Sequence, residues 1–267
     1  MERGCVLCAT GAGYTKLALQ AAESVKAAMP DLPVDVFTDQ TIDHPAIDRV
    51  VTLSNPWHRS KIDAMLQTRF EKTLFLDADT VMLDTVEDVF ELLNRYALCG
   101  AHDPIRNSWR TQAIWRSRVP EAFPQVNTGV LGFRLTPPVV ALLTKWRDVV
   151  QESALKSDQA VFRELLWKSP IRFATLPPEY NFMAQWSLPT MIEKEASIRI
   201  LHLPRLNHHL KHDMEEVSLS DVLPPLFQMR IAGWRKLAGQ IRRNKERRRV
   251  QGQNRQMEET DPTSGNL

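Results

Sequence analysis

Two carboxylates stand one residue apart at the end of an apolar segment, in the run EKTLFLDADTVML from Glu71 to Leu83. Successive side chains of a strand point to opposite faces, so residues two apart share a face. Asp77 and Asp79 can therefore aim at one point if the strand geometry persists through the pair. Two carboxylates at one point repel each other unless a cation lies between them. The spacing indicates a divalent metal site, and the alternative is a solvated loop in which an Asp caps a helix.

The elements that would position this pair alternate between strand and helix patterns. Strands are predicted, in chain order, at GCVLCAT, PVDVFTD, DRVVTL, KTLFLDADTVML and YALCGA. Helices are predicted at TKLALQAAESVKAAM, from the Asn55-Pro56 pair onward, and at VEDVFELL, where Asp84-Thr85-Val86-Glu87 resembles a capping box. This alternation predicts a mostly parallel sheet with helices on both faces.

Polar clusters follow four of the predicted strands, namely ATGAGY, FTD, DAD and AHDP. Ligands of parallel sheets bind outside the carboxyl ends of the strands. We therefore expect the four clusters to line one edge of the sheet. Further strand and helix patterns follow at QVNTGVLGFRL, PPVVALLTKWRDVV, DQAVFRELLWKS, RFATLPPEYNF and IRILHLPRL.

The composition is that of an ordinary globular chain, with 267 residues that are 43% hydrophobic and 25% charged. The three cysteines, Cys5, Cys8 and Cys99, are too few for a disulfide framework and indicate a reducing compartment. Cys5 and Cys8 would face opposite ways in a strand, which argues against a zinc pair.

No apolar run approaches the roughly 18 residues that span a bilayer, and the N-terminus has no signal-peptide pattern. These features predict a cytoplasmic protein.

Three functions fit the Asp-x-Asp pair. The segment LFLDADTV matches the opening motif of haloacid dehalogenase-type phosphatases, with Asp77 as nucleophile and Asp79 as general acid beside Mg²⁺. That group also needs a later acidic pair, and after Asp103 every Asp stands alone. A glycosyltransferase would use both carboxylates to hold a metal that binds the diphosphate of a nucleotide sugar. A non-catalytic nucleotide-sugar binder would need the same site without the acceptor machinery.

The run KIDAMLQTRFEKTLFLDADTVMLDTVEDVF resembles the GT-A glycosyltransferases of the glycogenin and bacterial galactosyltransferase family, glycosyltransferase family 8. Five further segments resemble motifs of that family in the family's order: LCATGAGYTKLAL, AHDP, VNTGVLGF, SDQAVF and RILHL. Together they extend from Val6 to His202. The resemblance implies an α/β fold of the GT-A, Rossmann-like type in a single domain, a nucleotide-sugar donor that we expect to be a UDP-hexose, and a retaining transfer.

The resemblance also gives each matched position an expected role. The metal, Mn²⁺ or Mg²⁺, would be held by Asp77, Asp79 and His202, since carboxylates suit both cations and imidazole suits Mn²⁺ better. The donor nucleotide and its diphosphate would be held by Ala9, Thr10, Tyr14, Lys61, Asp77 and Ala78. The transferred sugar would face the catalytic candidates Asp103, Asn127, Asp158 and Gln159, because short polar side chains bind hydroxyls in fixed geometry.

Several of these residues also fit structural roles. His202 can be a core residue, Lys61 a solvated helical cation, and Tyr14 or Asp158 a helix cap. The anomeric outcome is open as well. Retention would place Asp158 or Gln159 beside the reaction, whereas inversion would need a carboxylate base such as Asp103, Asp158 or Glu179.

The sequence departs from the family after His202. The Gly and the Lys-Pro-Trp that usually follow that His are replaced by the run HLPRLNHHLKH. The cation for the diphosphate would then be one of His208, His209, Lys211 or His212, and a sister GT-A family stays an alternative.

The loop from Arg106 to Gln125, with Trp109 and Trp115, is a candidate binding surface. The acceptor, whether glycan, lipid or protein, is left open.

The C-terminal segment is basic and amphipathic. The formal net charge is +2, and positive charge concentrates from Arg230 onward, while apolar residues recur at helical spacing at Phe227, Ile231, Trp234, Ala238 and Ile241. We expect a GT-A domain over 1–225, a basic amphipathic helix over 226–250 and a disordered tail over 251–267. The apolar face would pack on the domain or lie on an anionic inner membrane face. Nucleic acid is not expected, because no recognition motif accompanies the charge.

Overall fold

A seven-stranded sheet forms the centre of the computed structural model, which describes residues 1–108, 113–152, 158–183, 197–206, 223 and 225–260. Its strands are β1 Arg3–Ala9, β2 Val34–Thr38, β3 Arg49–Thr52, β4 Lys72–Asp77, β6 Leu98–His102, β7 Val126–Phe133 and β8 Phe173–Leu176. A second, two-stranded sheet consists of β5 Thr80–Met82 and β9 Ile200–His202.

The strand order in the large sheet is β3-β2-β1-β4-β7-β6-β8. The pairs on the β3 side are parallel, and so is the β6–β8 pair. Only β7 runs against its neighbours, since it pairs antiparallel with both β4 and β6. The prediction of a mostly parallel α/β sheet is therefore confirmed. The carboxyl ends of β1, β2, β4 and β6 meet at one edge, where the four polar clusters lie.

Helices cover both faces of this sheet, as predicted. They are α1 Ala12–Ala28, α2 Lys61–Leu66, α3 Glu87–Leu92, α4 Pro137–Glu152, α5 Asp158–Lys168 and α6 Pro225–Thr260, with a short 3-10 helix at Pro178–Tyr180. Strand side chains alternate between two cores: Leu74 packs with α1 and α3, and Phe75 packs with α2, α4 and α5. Cys5 and Cys8 likewise belong to opposite faces, and both are free thiols.

The predicted start of the second helix at Asn55-Pro56 is wrong, although the helix itself is present as α2. Residues 55–60 form bends and turns, and α2 begins only at Lys61. The Ser60 hydroxyl accepts a hydrogen bond from the Trp57 amide at 2.7 Å and donates to the Trp57 carbonyl at 2.9 Å. This local pairing satisfies the backbone in a turn instead of a helix. As a result, the segment from Trp57 to Ser60 faces the strand edge.

The predicted capping box before α3 does not form either. Val86 precedes the helix and makes no side-chain cap hydrogen bond. Asp84 instead pairs with Arg199 at 3.5 Å and with Arg242 of α6. The Asp84 carboxylate therefore joins segments that are distant in sequence, and locally it accepts a hydrogen bond from the Thr85 amide, at 2.8 Å.

The C-terminal helix packs on the main domain through its predicted apolar face. Ile231 and Trp234 are 7% and 3% exposed in the same core as α1, and Phe227 packs against them. Ile241, by contrast, is 57% exposed. The helix runs to Thr260 and not to residue 250, where the sequence analysis had ended it. Among the described helices, none has the length and apolar character needed to cross a bilayer.

We expect Trp234→Ala to destabilise the protein by about 3–5 kcal/mol, the usual loss when a buried Trp leaves a cavity. Thermal or urea unfolding measures this loss. Met229→Ala is the matched control, because Met229 lies on the same helix and is 72% exposed; it should change the free energy of unfolding by less than about 0.5 kcal/mol. Equal effects of the two substitutions would mean that α6 is not docked through Trp234.

Candidate active site

Three potential metal ligands converge at the carboxyl edge of the sheet. Asp77 ends β4, Asp79 lies in the turn that follows, and His202 ends β9. Their ligand atoms all lie within 4.8 Å of one another. His202 Nε2 is 3.2 Å from Asp79 Oδ1. The structure thus brings together the three residues that the family resemblance implied as metal ligands.

A turn, and not a continuous strand, makes the two carboxylates converge. The predicted single strand is interrupted at Ala78 and Asp79, and the Thr80 hydroxyl closes the turn by donating to the Asp77 carbonyl at 2.7 Å. The expectation that strand geometry would persist through the pair is wrong. The turn aims both carboxylates at one point by a different route.

The two-stranded sheet carries His202 to this point. Thr80 is the register partner of His202 in the antiparallel β5–β9 pair. The Leu203 amide donates to the Asp79 carbonyl at 2.8 Å, which extends the pairing to the metal-binding turn. Residues from distant parts of the chain are therefore held side by side by backbone hydrogen bonds.

Gly129 of β7 leaves room for the cluster. A Cβ atom at this position would lie 2.3 Å from His202 Cε1, 2.8 Å from His202 Nδ1 and 2.9 Å from Asp77 Oδ2. Real Cβ atoms do not approach heavy atoms this closely, because repulsion rises steeply below van der Waals contact. Any larger residue at position 129 would displace two of the three ligands.

A buried hydrogen-bond chain orients the His202 ring. The Gly129 amide donates to Asn127 Oδ1 at 3.0 Å, which identifies that atom as the oxygen. Asn181 Nδ2 then donates to the same oxygen at 3.1 Å, and Asn181 Oδ1 faces His202 Nδ1 at 2.9 Å. Nδ1 must therefore carry the proton, and Nε2 is directed to Asp79. A fixed tautomer with Nε2 towards the carboxylates is the arrangement that metal-binding histidines use.

Asn181 was missed by the sequence analysis, which assigned its segment to a strand running into a turn. We expect Asn181→Ala to lower the Mn²⁺ affinity about ten- to a hundredfold, the usual effect of losing a residue that orients a ligand. Calorimetric Mn²⁺ titration measures the change. Asn94→Ala, at an exposed Asn, should leave the affinity unchanged. Equal affinities of both variants would show that Asn181 does not orient His202.

The electrostatics of the cluster favour a cation. Burial alone would lower the pKa of His202, but the Asp79 and Asp77 carboxylates outweigh it and raise that pKa. Lys61 Nζ lies 3.1 Å and 3.2 Å from the two Asp77 oxygens and also donates to Thr128 Oγ1 at 3.3 Å. Two carboxylates and one imidazole therefore attract positive charge, and this donor set suits Mn²⁺ and Mg²⁺.

We expect His202→Ala to weaken Mn²⁺ binding more than Mg²⁺ binding, because imidazole suits the softer ion better. Titrations of both ions against wild type and variant measure the two ratios. If both ions lose affinity equally and the melting temperature falls steeply, His202 acts as a core residue.

A cavity of about 420 Å³, which we call the strand-end pocket, opens beside the three potential metal ligands. It is lined by all six residues expected to bind the donor, namely Ala9, Thr10, Tyr14, Lys61, Asp77 and Ala78. Tyr14 is 46% exposed, so its ring is accessible at the pocket. Trp57 and Arg59 also line the pocket. The sequence analysis missed both because it had placed their segment in a helix.

The catalytic candidates fall into two groups. Asn127 Nδ2 donates to Asp103 Oδ2 at 3.2 Å, and both side chains are buried. Asp158 forms an ion pair at 2.7 Å with Arg59 from the strand-end pocket, and Gln159 follows it at the start of α5. Asp158 lies in the first helical turn, where its charge is favourable. Within the described ranges, no hydrogen bond or ion pair joins the first group to the second.

Some sequence candidates lie outside the described residues. These are Trp109 and the four possible diphosphate cations, His208, His209, Lys211 and His212. Glu179, the other possible base, lies in the 3-10 helix and is half-buried.

The sheet order, the reversed β7 and the aspartates at the strand edge agree with the GT-A fold that the sequence predicted. The galactosyltransferase LgtC, solved with donor and acceptor sugar analogues, matches with a TM-score of 0.55 and 15% identity over 85% of this chain and 99% of its own. The glycosyltransferase GlyE of Streptococcus pneumoniae TIGR4 matches with a TM-score of 0.54 and 18% identity, over 75% of this chain. The match spans only 55% of GlyE. At sequence identities this low, the structural similarity establishes a shared fold and nothing more.

The model of the nucleotide-diphospho-sugar transferase family matches residues 51–207, which is more than half of the chain. The chain belongs to this family. The matched region contains the Asp-x-Asp pair, the reversed strand and His202. No curated protein matches the chain significantly. The family match does not favour the phosphatase alternative for Asp77 and Asp79.

Proposed function

We propose that the protein is a metal-dependent hexosyltransferase that uses a nucleotide sugar, with UDP-hexose as the donor. The observation that carries the proposal is the convergence of Asp77, Asp79 and His202 within 4.8 Å beside the strand-end pocket. Both aspartates also line that pocket. A diphosphate bound there would therefore meet the metal ligands directly.

The pocket residues suit the parts of such a donor. Ala9 ends β1 and Thr10 follows it at the sheet edge, and both would contact the base and ribose through their backbone. The accessible ring of Tyr14 would stack on the base. Lys61 would hold the diphosphate as a point charge, turning away from Asp77 when the donor arrives.

The metal would be held by Asp77, Asp79 and His202, and when bound it stabilises negative charge on the departing diphosphate. Mn²⁺ is our first choice because the ligand set includes an imidazole, and Mg²⁺ is the second. Asn181 keeps Nε2 of His202 available to the cation. The space left by Gly129 keeps the cluster from being crowded.

The transferred sugar would lie between the two groups of catalytic candidates. Asp103 and Asn127 offer fixed polar atoms to its hydroxyls, and the ion pair with Arg59 orients Asp158. As the bond from the anomeric carbon to the phosphate oxygen breaks, its electrons would go to the departing diphosphate. The acceptor oxygen would form the new bond to the anomeric carbon, and its proton would go to the departing phosphate oxygen. We infer a retaining transfer, with Gln159 or Asp158 beside the anomeric carbon.

A donor-hydrolysis screen tests this proposal. Without an acceptor, a transferase passes the sugar slowly to water, so we expect Mn²⁺-dependent release of UDP from one or more UDP-hexoses. A chelator should stop the release. Phosphate release from small phosphomonoesters would contradict the proposal in favour of a phosphatase. Tight UDP-sugar binding without turnover, with or without acceptors, would identify a non-catalytic binder.

We further propose that the outer part of α6 contacts anionic membranes from the cytoplasmic side. Arg243, Arg247 and Arg248 are exposed beyond the packed face, and each basic residue near an anionic surface contributes about 1 kcal/mol. The three free cysteines are consistent with a reducing compartment. Sedimentation with phosphatidylserine liposomes should be lost at high salt. Absence of binding at low salt would refute the membrane contact.

A further inference from the structure

A second cavity, of about 540 Å³, is lined by residues that neighbour the catalytic candidates in sequence. We call it the arginine cavity, and its polar and aromatic lining includes His102, Arg106, Trp115, Arg118, Gln125 and Arg163. Its size is that of a small-molecule site and not of a protein docking surface. It shares no lining residue with the strand-end pocket.

The walls of the arginine cavity continue the elements that carry the expected sugar-binding residues. His102 directly precedes Asp103, and Gln125 lies two positions before Asn127. The Asp103 amide donates to the Gln125 carbonyl at 2.8 Å, which joins the two segments. On α5, Ala160 lines the cavity and directly follows Gln159. A molecule in the cavity would therefore lie against the proposed reaction centre.

Gln125 gives the cavity an unsatisfied polar group. It is 3% exposed, and among the described residues neither its amide nitrogen nor its amide oxygen has a hydrogen-bond partner. Buried polar groups without partners are rare, because each costs about 1–3 kcal/mol. A ligand with both donor and acceptor atoms, such as a saccharide, would satisfy the amide.

Arg163 gives the cavity a positive charge, and no described carboxylate forms an ion pair with it. Its Nη2 donates to the carbonyls of Pro120 at 2.8 Å and Phe123 at 2.6 Å, which are neutral, and its Nε has no partner within the described part of the chain. Burial lowers the pKa of Arg163, and Glu121 only partly offsets this. Glu121 itself is exposed and lies 3.4 Å from Arg118. An anion in the cavity would therefore be attracted.

Glu164, the other carboxylate of the cavity wall, is already engaged. It accepts hydrogen bonds from the amides of Arg116 and Ser117, both at 2.9 Å, and from Lys168 at 2.6 Å. Burial alone would raise the pKa of Glu164, but these hydrogen bonds outweigh it and lower the pKa to about 2. The Glu164 charge is thus balanced locally and does not neutralise the arginines.

We propose that the arginine cavity binds the acceptor and that the acceptor is a saccharide carrying a phosphate or carboxylate group. The anion would pair with Arg163, and the saccharide hydroxyls would bond to the Gln125 amide. The Trp115 ring, which packs on the core and lies 4.4 Å from the Arg116 guanidinium, supplies an apolar surface for the sugar ring. This inference rests on the proposed function, since it assigns the acceptor of that transfer.

The test uses full-length protein saturated with UDP and Mn²⁺, so that the strand-end pocket is filled. Calorimetric titration with glucose 6-phosphate, galacturonate and glucose compares the two anions with a neutral sugar. We expect one or both anionic sugars to bind at least about tenfold more tightly than glucose, since a hydrogen bond to a charged group contributes enough for that ratio. The anion that binds identifies phosphate or carboxylate as the natural group.

Two variants and one control locate the binding. Gln125→Glu keeps the side-chain size but adds a negative charge, and Arg163→Gln removes a positive one; each should weaken the anionic sugar about tenfold or more. Arg95→Gln removes an exposed positive charge elsewhere and should have no effect. Circular dichroism checks that the variants are folded, and at least one of the two must be folded for the comparison.

Equal binding of glucose and the anionic sugars would overturn the inference. So would unchanged affinity in a folded Gln125→Glu or Arg163→Gln variant, or an equal loss in Arg95→Gln. UDP and Mn²⁺ binding is measured first and independently. Failure of that binding would refute the proposed function, whereas success followed by no preference for anions would refute the acceptor assignment alone.

Discussion

Asp79→Asn should abolish metal-dependent donor binding while the protein remains folded. The substitution keeps an oxygen and the side-chain volume but removes one of the two negative charges that attract the cation. Metal affinity depends on ligand charge, and losing a direct ligand should cost at least as much as losing a supporting residue, about a hundredfold. Calorimetry with Mn²⁺, and then with UDP in the presence of Mn²⁺, measures both affinities.

The fold should survive Asp79→Asn because the backbone makes the local contact. The Asp79 carbonyl accepts a hydrogen bond from the Leu203 amide, and this bond does not depend on the side chain at position 79. Asp43→Asn is the control for the chemical change, since Asp43 is exposed and distant in sequence from the cluster. Unchanged Mn²⁺ and UDP binding in Asp79→Asn would make the metal assignment wrong, and the donor would then have to be bound without a cation at this position.

Gly129→Ala should also eliminate metal binding, although it adds only one methyl group. The new Cβ would overlap the His202 ring and approach an Asp77 oxygen within 2.9 Å. The clash involves His202 Cε1, which is fixed by the bond from Nδ1 to Asn181, so the ring must move or the strand must shift. We expect at least a hundredfold loss of Mn²⁺ affinity, on the order of other direct-ligand losses.

Gly233→Ala provides the matched control for this substitution. Gly233 lies within α6, and a Cβ there would meet nothing within 4 Å. Replacing a helical glycine should stabilise the protein by up to about 1 kcal/mol and leave metal binding intact. If Gly129→Ala binds Mn²⁺ as wild type does, the ligands have more freedom than their packing implies. A general stability loss with metal affinity retained would point to β7 packing instead.

The fold class was predictable because its signals are local and repeated. Alternating strand and helix patterns indicated the parallel sheet, and the carboxyl edge followed from it. The reversal of β7 was not predictable from VNTGVLGF, because direction within a sheet is set by the path of the intervening chain and not by side-chain pattern. The second helix begins at Lys61 and not at Asn55-Pro56, because the hydrogen bonds between Ser60 and Trp57 favour a turn before it.

The candidate site was predictable where its residues follow strands and unpredictable where they depend on tertiary contact. Asp77 and Asp79 stand out by spacing, and His202 by its order in the motif series. Asn181 stands after a proline-rich turn, and only its contacts with Asn127 and His202 reveal it. Gln125 likewise looks like an ordinary polar residue until its burial without partners is known.

If the proposed metal site is correct, the small β5–β9 sheet would allow all three ligands to bind the cation only late in synthesis of the chain. During synthesis Asp77 and Asp79 leave the ribosome well before His202, so the nascent chain offers only a pair of carboxylates. The third ligand arrives when β9 pairs with β5. The bound ion would then cross-link distant segments. It would stabilise the paired β5–β9 sheet by mass action. Retention of the ion would thus distinguish finished molecules from partly assembled ones, since chains that end before β9 cannot keep it.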